Sequence, residues 1–223
     1  MKKINWRYAL GELLLIFLGI TTAIWFNNWN EKQKSLETEI KSINEIKNAI
    51  QQDVQDINEN ISGFQNRVLL FNQLLEHIEK KLPINDSLKT NLPYLQGVTT
   101  FLPNTGPYET LKSRGLETIS NDSIRLEISL YYDYEYEKIQ TNERQHYEHY
   151  VNYLKPAMML HFSLKDYKLE PLDYDNLLSD FKFEQTINWA LRTDSYMLDL
   201  YKELKKISDS LLVDLSNEIE RID

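Results

Sequence analysis

Glu143 and His146 stand three residues apart, and His149 follows one turn later. This is the spacing at which helical di-iron proteins present a carboxylate and an imidazole to one metal ion. Such a centre needs a second Glu-x-x-His and two more glutamates from neighbouring helices. Only one copy of the motif is present, so the pair is expected as a polar surface or a hydrogen-bonded interruption of a helical core. His77 and His161 are isolated and read as structural. The chain has no cysteine, which excludes disulfides, thiolate nucleophiles, cysteine-rich metal sites and a lipoprotein cysteine. There is no Gly-x-Ser-x-Gly, no phosphate-cradling glycine loop and no His-Glu-x-x-His. No enzyme activity, metal or cofactor is expected.

Glu12 is a carboxyl inside an apolar run. Such a group costs about 2.5–3.5 kcal/mol near the centre of a membrane helix and by default has a partner. It lies six residues after Trp6, about 9 Å of helical rise, so it could also reach the interface. Gly11, Gly19 and Ala23 share one helix stripe, where small side chains permit close approach of a second helix. Gly11, Glu12, Gly19 and Ala23 are therefore the candidate helix–helix contact within a membrane. Tyrosines 131, 132, 134, 136, 147, 150 and 153 crowd one helix. They suit either an interface or a wide core with hydroxyls at its edge. Tyr108, Leu111, Gly115 and Asn121 mark a candidate distal cap, either a ligand loop or a packed corner between helices.

The element that positions all of this is the stretch Tyr8 to Trp29. Leu13 to Phe26 is apolar apart from Thr21 and Thr22, whose hydroxyls can bond back to the helix's own carbonyls. Trp6 and Tyr8 stand at one end, Trp25 and Trp29 at the other, roughly 34 Å of helix apart. That matches a hydrocarbon layer of about 30 Å with aromatic rings at both interfaces. A single transmembrane helix is expected. A cleaved signal peptide is disfavoured, because bulky Trp25-Phe26-Asn27-Asn28-Trp29 replaces a small-residue cleavage site. Lys2, Lys3 and Arg7 before the span tie with Lys32, Lys34 and Lys41 after it. The short basic start argues for a cytoplasmic N-terminus and a periplasmic body at the inner membrane. Residues 1–30 form the tail and span, and residues 31–223 the body.

The net charge of −9 divides into +2 on the first thirty residues and −11 on the body. Such a body repels phosphate backbones, so nucleic acid is not an expected partner. Six glycines and six prolines in 223 residues favour long helices. From Leu36 through Ile43, Ile50, Ile57, Phe64, Phe71 and Ile78, apolar residues alternate in steps of four and three with Ile40, Val54, Ile61, Val68, Leu75 and Leu82. Lys47 is the single exception, expected to snorkel. This predicts one helix from Trp6 to Leu82, its flanking Glu, Lys, Gln and Asn forming a solvated face. Asp86 is expected to cap a short helix over 87–96. Pro107 opens another over 108–113, Gly115 turns, and Asn121 or Asp122 caps a helix over 122–162. That helix's stripe includes Tyr132, Tyr136, Ile139, Tyr150, Tyr153, Ala157 and Leu160, with a kink at Pro156. A short helix near 173–180 and a last helix over 184–221 complete the chain, with no strand. The fold class is all-α: a transmembrane helix continuing into a long antiparallel bundle, outward, back and outward, with a short-helix cap. The body should be more than about 70% helical, about twice the ordinary share. Segment 83–121 caps the end far from the membrane, and 163–183 faces the membrane.

Two stretches carry a resemblance. One is Tyr8-Ala9-Leu10-Gly11-Glu12, then Gly19-Ile20, then Asn27-Asn28-Trp29-Asn30-Glu31. The other is Tyr108-Glu109-Thr110-Leu111-Lys112-Ser113-Arg114-Gly115, then Ile119, Asn121 and the Tyr131-Tyr132 pair. Together they resemble a large uncharacterised family of single-pass Bacteroidota proteins with an α-helical body. The resemblance implies an envelope location and a helical fold, and implies no activity. The expected function is a non-catalytic scaffold or accessory subunit of a membrane complex, acting on a protein partner or a second copy. The alternative is a ligand-sensing bundle, which would signal through a partner because the chain carries no second span.

Overall fold

The computed structural model describes residues 6–222, with side chains from residue 10 onward. Lys2, Lys3 and the side chains of Trp6, Arg7 and Tyr8, which entered the reading of orientation and aromatic belts, lie outside the described residues. Helices make up 85% of the described residues, and their fold is all-α apart from one small hairpin.

Helix α1 runs unbroken over Trp6–Glu79, 74 residues. It stops three residues before the expected Leu82. Lys81 takes a left-handed φ of 51°, and the Leu82 N–H returns to the His77 carbonyl at 2.9 Å. Its first part is long and apolar enough to cross a membrane, and none of that window is buried. Residues 10–29 are all exposed, and the first buried side chain is Glu39. Thr21 and Thr22 donate to the carbonyls of Phe17 and Leu18 at 2.8 and 2.7 Å, as expected. A bare apolar arm and a bundle helix are thus one continuous element.

Helix α2 covers Asp86–Asn91 and is capped by Asn85, whose Oδ1 accepts the Leu88 N–H at 2.8 Å. Asp86, the expected cap, occupies the first turn instead. A 3-10 turn follows over Leu92–Gln96, then α3 over Gly106–Arg114 with Pro107 in its first turn. The long middle helix consists of α4 (Asp122–Leu130), α5 (Tyr136–His149) and α6 (Lys155–His161), joined by π-turns at Tyr131–Glu135 and Tyr150–Leu154. A π-turn takes in an extra residue, so every later position moves round the helix. The buried row therefore continues from Tyr150 to Leu154, Met158 and His161. The expected Tyr153 and Leu160 are instead 63% and 69% exposed. The second π-turn sits just ahead of Pro156, where a missing N–H breaks the regular ladder.

Strands β1 (Phe162–Lys165) and β2 (Lys168–Pro171) form an antiparallel hairpin, which corrects the expectation of no strand. Four residues a side are too few for alternation to show in a sequence. Asp166 and Tyr167 both take positive φ, as a tight hairpin turn requires. Helices α7 (Tyr174–Ser179) and α8 (Phe181–Ile222) follow.

The path of the chain differs from the expected outward–back–outward. Helix α8 is antiparallel to α1: Phe64 packs on Tyr201, and further along Arg67 meets Asp194. The middle helix is parallel to α1: Asp53 bonds Tyr136, and further along Phe64 packs on His146. Segment 82–121 makes this possible by running back along the bundle. Its Leu102, Asn104 and Ser120 N–H groups meet Asp56, Asp53 and Glu39 at 2.9, 2.8 and 2.7 Å. Tyr108, Leu111, Gly115 and Asn121 therefore lie toward the arm, not at the distal tip. The hairpin and α7 lie at the far end, where the Tyr174 hydroxyl donates to the Leu82 carbonyl. Hydrophobic stripes mark the buried face of a helix and carry no sign for its direction. A forty-residue connection is long enough either to cap one end or to traverse the bundle.

The absence of native cysteine makes this path testable. Asn121 Nδ2 donates to Glu218 at 2.9 Å. Asn121→Cys with Glu218→Cys is expected to be bridged by a short bismaleimide, and Asn121→Cys with Lys80→Cys is not. The reverse pattern, read on denaturing gels, would restore the outward–back–outward bundle.

Candidate functional site

On α1, Ile43, Ile50, Ile57, Phe64, Phe71 and Ile78 are buried as expected. Their expected companions Ile40, Lys47, Val54, Ile61 and Val68 are only half-buried. A different row completes the core: Glu39, Ile46, Asp53, Asn60, Arg67 and Leu74, seven residues apart and each at most 4% exposed. Four of these six are polar, and Glu39 and Asn60 are of the types expected on the solvated face. Glu39, Asp53 and Arg67 turn inward because the crossover 82–121 lies against them and its backbone needs partners, whereas Asn60 donates back to the Asp56 carbonyl at 2.9 Å.

Arg67 is the most constrained. Its Nε and Nη2 donate to Asp194 at 2.6 and 3.3 Å. Its Nη1 donates to the carbonyls of Leu95 at 3.1 Å, Tyr94 at 3.3 Å and Gly97. His146 Nε2 lies 2.7 Å from Asp194 Oδ1, the oxygen that also accepts Arg67 Nη2. An ionised carboxylate only accepts, so this nitrogen carries the proton. The layer divides two apolar clusters, one running from Ile43 to Leu215 and one from Leu70 to Ala190.

Glu143, the other half of the Glu-x-x-His motif, is 8% exposed. Its Oε1 accepts the Phe101 N–H at 2.6 Å and the Tyr201 hydroxyl. Asp53 accepts Tyr136 and the Asn104 N–H. Burial pushes both carboxyls above their ordinary range, against the hydrogen bonds that hold them ionised. Burial likewise raises the phenols of Tyr131, Tyr136 and Tyr201. Glu143 and His146 thus face the core, bound to different partners. Among the described residues no three metal-ligating side chains converge.

The remaining candidates separate. Around Gly11 and Gly19 there is nothing within 4 Å of a Cβ position. Glu12 and Ala23 are exposed on the same bare arm. Tyr108 and Leu111 are buried, and Tyr108 stacks on Tyr132 with ring centres 4.5 Å apart. Burial and the Asp133 carboxylate, which accepts its hydroxyl at 2.6 Å, push that phenol up to about 12. Gly115 takes a φ of 102°, where a side chain would strike the Glu117 carboxylate. Asn121 caps α4. These four form a packed corner. The tyrosine cluster splits: 131, 132, 136 and 150 are buried, while 134, 147 and 153 are exposed. His77 lies against the Gln73 carbonyl and His161 against Asp180. A feature with no sequence signal is a cavity of about 630 Å³ between α1 and the crossover, beside Arg67.

Both donors to Glu143 converge on one oxygen, which yields a sharp expectation. Glu143→Gln keeps both bonds and removes the buried charge. A carboxyl raised above 4.5 when folded lends stability that is present at low pH and lost as pH rises through its folded value. Glu143→Gln should therefore unfold at the native temperature or above it in mildly basic buffer, and lose less stability between acidic and basic buffers. Glu143→Leu orphans two buried donors and should cost about 1–3 kcal/mol. Circular dichroism melts at both pH values check this; an unchanged pH slope in the Gln variant refutes it.

Neither the curated proteins nor the solved structures yield a match to the chain. One family does match, described as "Family of unknown function (DUF6090)", over residues 12–191. The match takes in the arm from Glu12, the crossover and the middle helix, and ends within α8 just before the Asp194 partner of Arg67. Spanning most of its length, it shows that the chain belongs to this family of unknown function, DUF6090.

Proposed function

We propose that this protein is a single-pass, membrane-anchored, non-catalytic scaffold or accessory subunit of an inner-membrane complex, with its bundle in the periplasm. The observation that carries the reading is the bare arm. Leucine, isoleucine, phenylalanine and tryptophan side chains from Leu10 to Trp29 stand 49–72% exposed. In water such surface is unfavourable by about 25 cal/mol for every Å², and a bilayer removes that cost. Trp25 and Trp29 lie at the body end of the arm, at the depth where indoles favour an interface. The resemblance to single-pass Bacteroidota proteins supports an envelope location, and basic Lys2, Lys3 and Arg7 ahead of the span support the orientation.

Gly11, Gly19 and Ala23 leave an open track on the arm, with Glu12 beside it. A passive anchor does not require them, since any leucine-rich span would hold the body. Helices in lipid associate through close packing and interhelical hydrogen bonds. The track therefore serves contact with a protein partner or with a second copy. The acidic body makes nucleic acid an unsuitable partner.

Two outcomes are expected. A reporter fused after Asp223 is active only outside the cytoplasm; activity of a cytoplasm-only reporter there reverses the orientation. Gly19→Leu lowers cross-linking yield in detergent or bilayer more than Glu12→Gln does, because a membrane hydrogen bond averages only about 0.6 kcal/mol. If an arm with leucine at positions 11, 12, 19 and 23 assembles like the native one, the arm is only a tether.

A further inference from the structure

We infer that the cavity between α1 and the crossover binds an uncharged, hydroxyl-rich ligand of the carbohydrate class. This site is independent of the arm and gives a location to the ligand-binding alternative. Its volume of about 630 Å³ falls in the range of small-molecule pockets. A second cavity of about 360 Å³ shares Pro93 and Tyr94 as a wall and has Tyr167 on its other side. Two chambers flanking one tyrosine suit successive rings of an oligosaccharide.

The chemistry of the walls selects the ligand. Among the described residues, Arg67 is the only charged side chain lining either chamber. Asp194 neutralises it, and three backbone carbonyls occupy its Nη1. An anion would have to compete with those partners, and a cation finds no acid there. The other polar walls are Asn66, Gln73, Ser87, Asn91 and Thr99, set among apolar Leu69, Leu70 and Val98. Amides and hydroxyls both donate and accept, as sugar hydroxyls do. Tyr94 and Tyr167 are 70% and 91% exposed, offering ring faces with polar tips to the C–H face of a sugar.

Gly63 supports the same reading. Glycine weakens a helix interior relative to alanine, and packing does not demand it here: a Cβ would meet Thr99 at an ordinary 3.5 Å. What glycine does provide is an open wall to the larger chamber. The opposite wall is held by Arg67, which fixes the Tyr94 and Gly97 carbonyls before any ligand arrives. A preorganised wall lowers the ordering cost of binding.

The test uses the full chain in lauryldimethylamine oxide, a detergent without a sugar headgroup. Maltohexaose, cellohexaose and chitohexaose are titrated calorimetrically, with inorganic phosphate as the charged probe. At least one glycan is expected to bind saturably. Tyr94→Ala, at an exposed position, weakens that glycan about tenfold or more, and Gly63→Met, which fills the larger chamber, abolishes binding. Tyr134→Ala, at an exposed tyrosine elsewhere, leaves it unchanged. Should Gly63→Met fail to fold by circular dichroism, Tyr94→Ala alone decides. The proposal is overturned if no glycan binds at millimolar concentration, if binding survives Tyr94→Ala, or if phosphate binds in a Tyr94-dependent way. None of these results alters cross-linking through the arm, so the two readings fail separately.

Discussion

The buried Arg67–Asp194 pair is the constraint on which the architecture depends. A charge in an apolar core is tolerated only when paired and fully hydrogen-bonded. Arg67 meets that condition with two bonds to α8 and the rest to crossover carbonyls, while Asp194 takes a further bond from the middle helix through His146. Three helices and an irregular segment are thereby aligned at one level. A slide of one turn by α1 or α8 would leave a charge uncompensated, at about 3–5 kcal/mol for a broken buried pair, and a slide of the middle helix or the crossover would strip hydrogen bonds from it. The apolar clusters on either side supply the burial energy but tolerate neighbouring registers far better, because methyl contacts are non-directional.

The same logic extends down α1 toward the arm. The crossover has no ladder of its own between Gly97 and Thr105. Its N–H groups would be orphaned against a purely apolar helix. Asp56, Asp53 and Glu39 accept them, and Glu143 reaches across from the middle helix. The cost appears in the raised carboxyl affinities of Asp53 and Glu143 for protons. The compensation is a chain path in which two parallel helices can be adjacent, which a short loop cannot produce.

Because the arm and the bundle are one helix, their orientations are coupled. Neither glycine nor proline interrupts α1 between Trp29 and Gly63, so tilting or rotating the arm moves the bundle as a lever. The packed corner of Tyr108, Leu111, Gly115 and Asn121 lies at the end nearest that lever, and the hairpin and α7 at the other. A contact made by Gly19 within a membrane and a ligand seated beside Arg67 would therefore act on one continuous helix.

By itself the sequence determined which segments are helical and where several of them begin. Long-range apolar periodicity and local capping chemistry are encoded in neighbouring residues, so α1, Pro107 opening α3 and the span of α8 were all legible, and the cap of α4 was narrowed to Asn121 or Asp122. The polar row of α1 also left a trace, with Glu39, Asp53, Asn60 and Arg67 spaced by multiples of seven, and α8 buries polar Asp194, Ser208 and Glu218 in the same way. Hydrophobicity alone files such residues with the solvent. Only the tertiary structure decided that they turn inward, that two π-turns shift the tyrosine register, and that segment 82–121 retraces the bundle so that the middle helix runs parallel to α1. The physical reason is that each of these depends on partners distant in the chain. A stripe records that a face is buried, and only the backbone groups and charges packed against it settle by what, and in which direction.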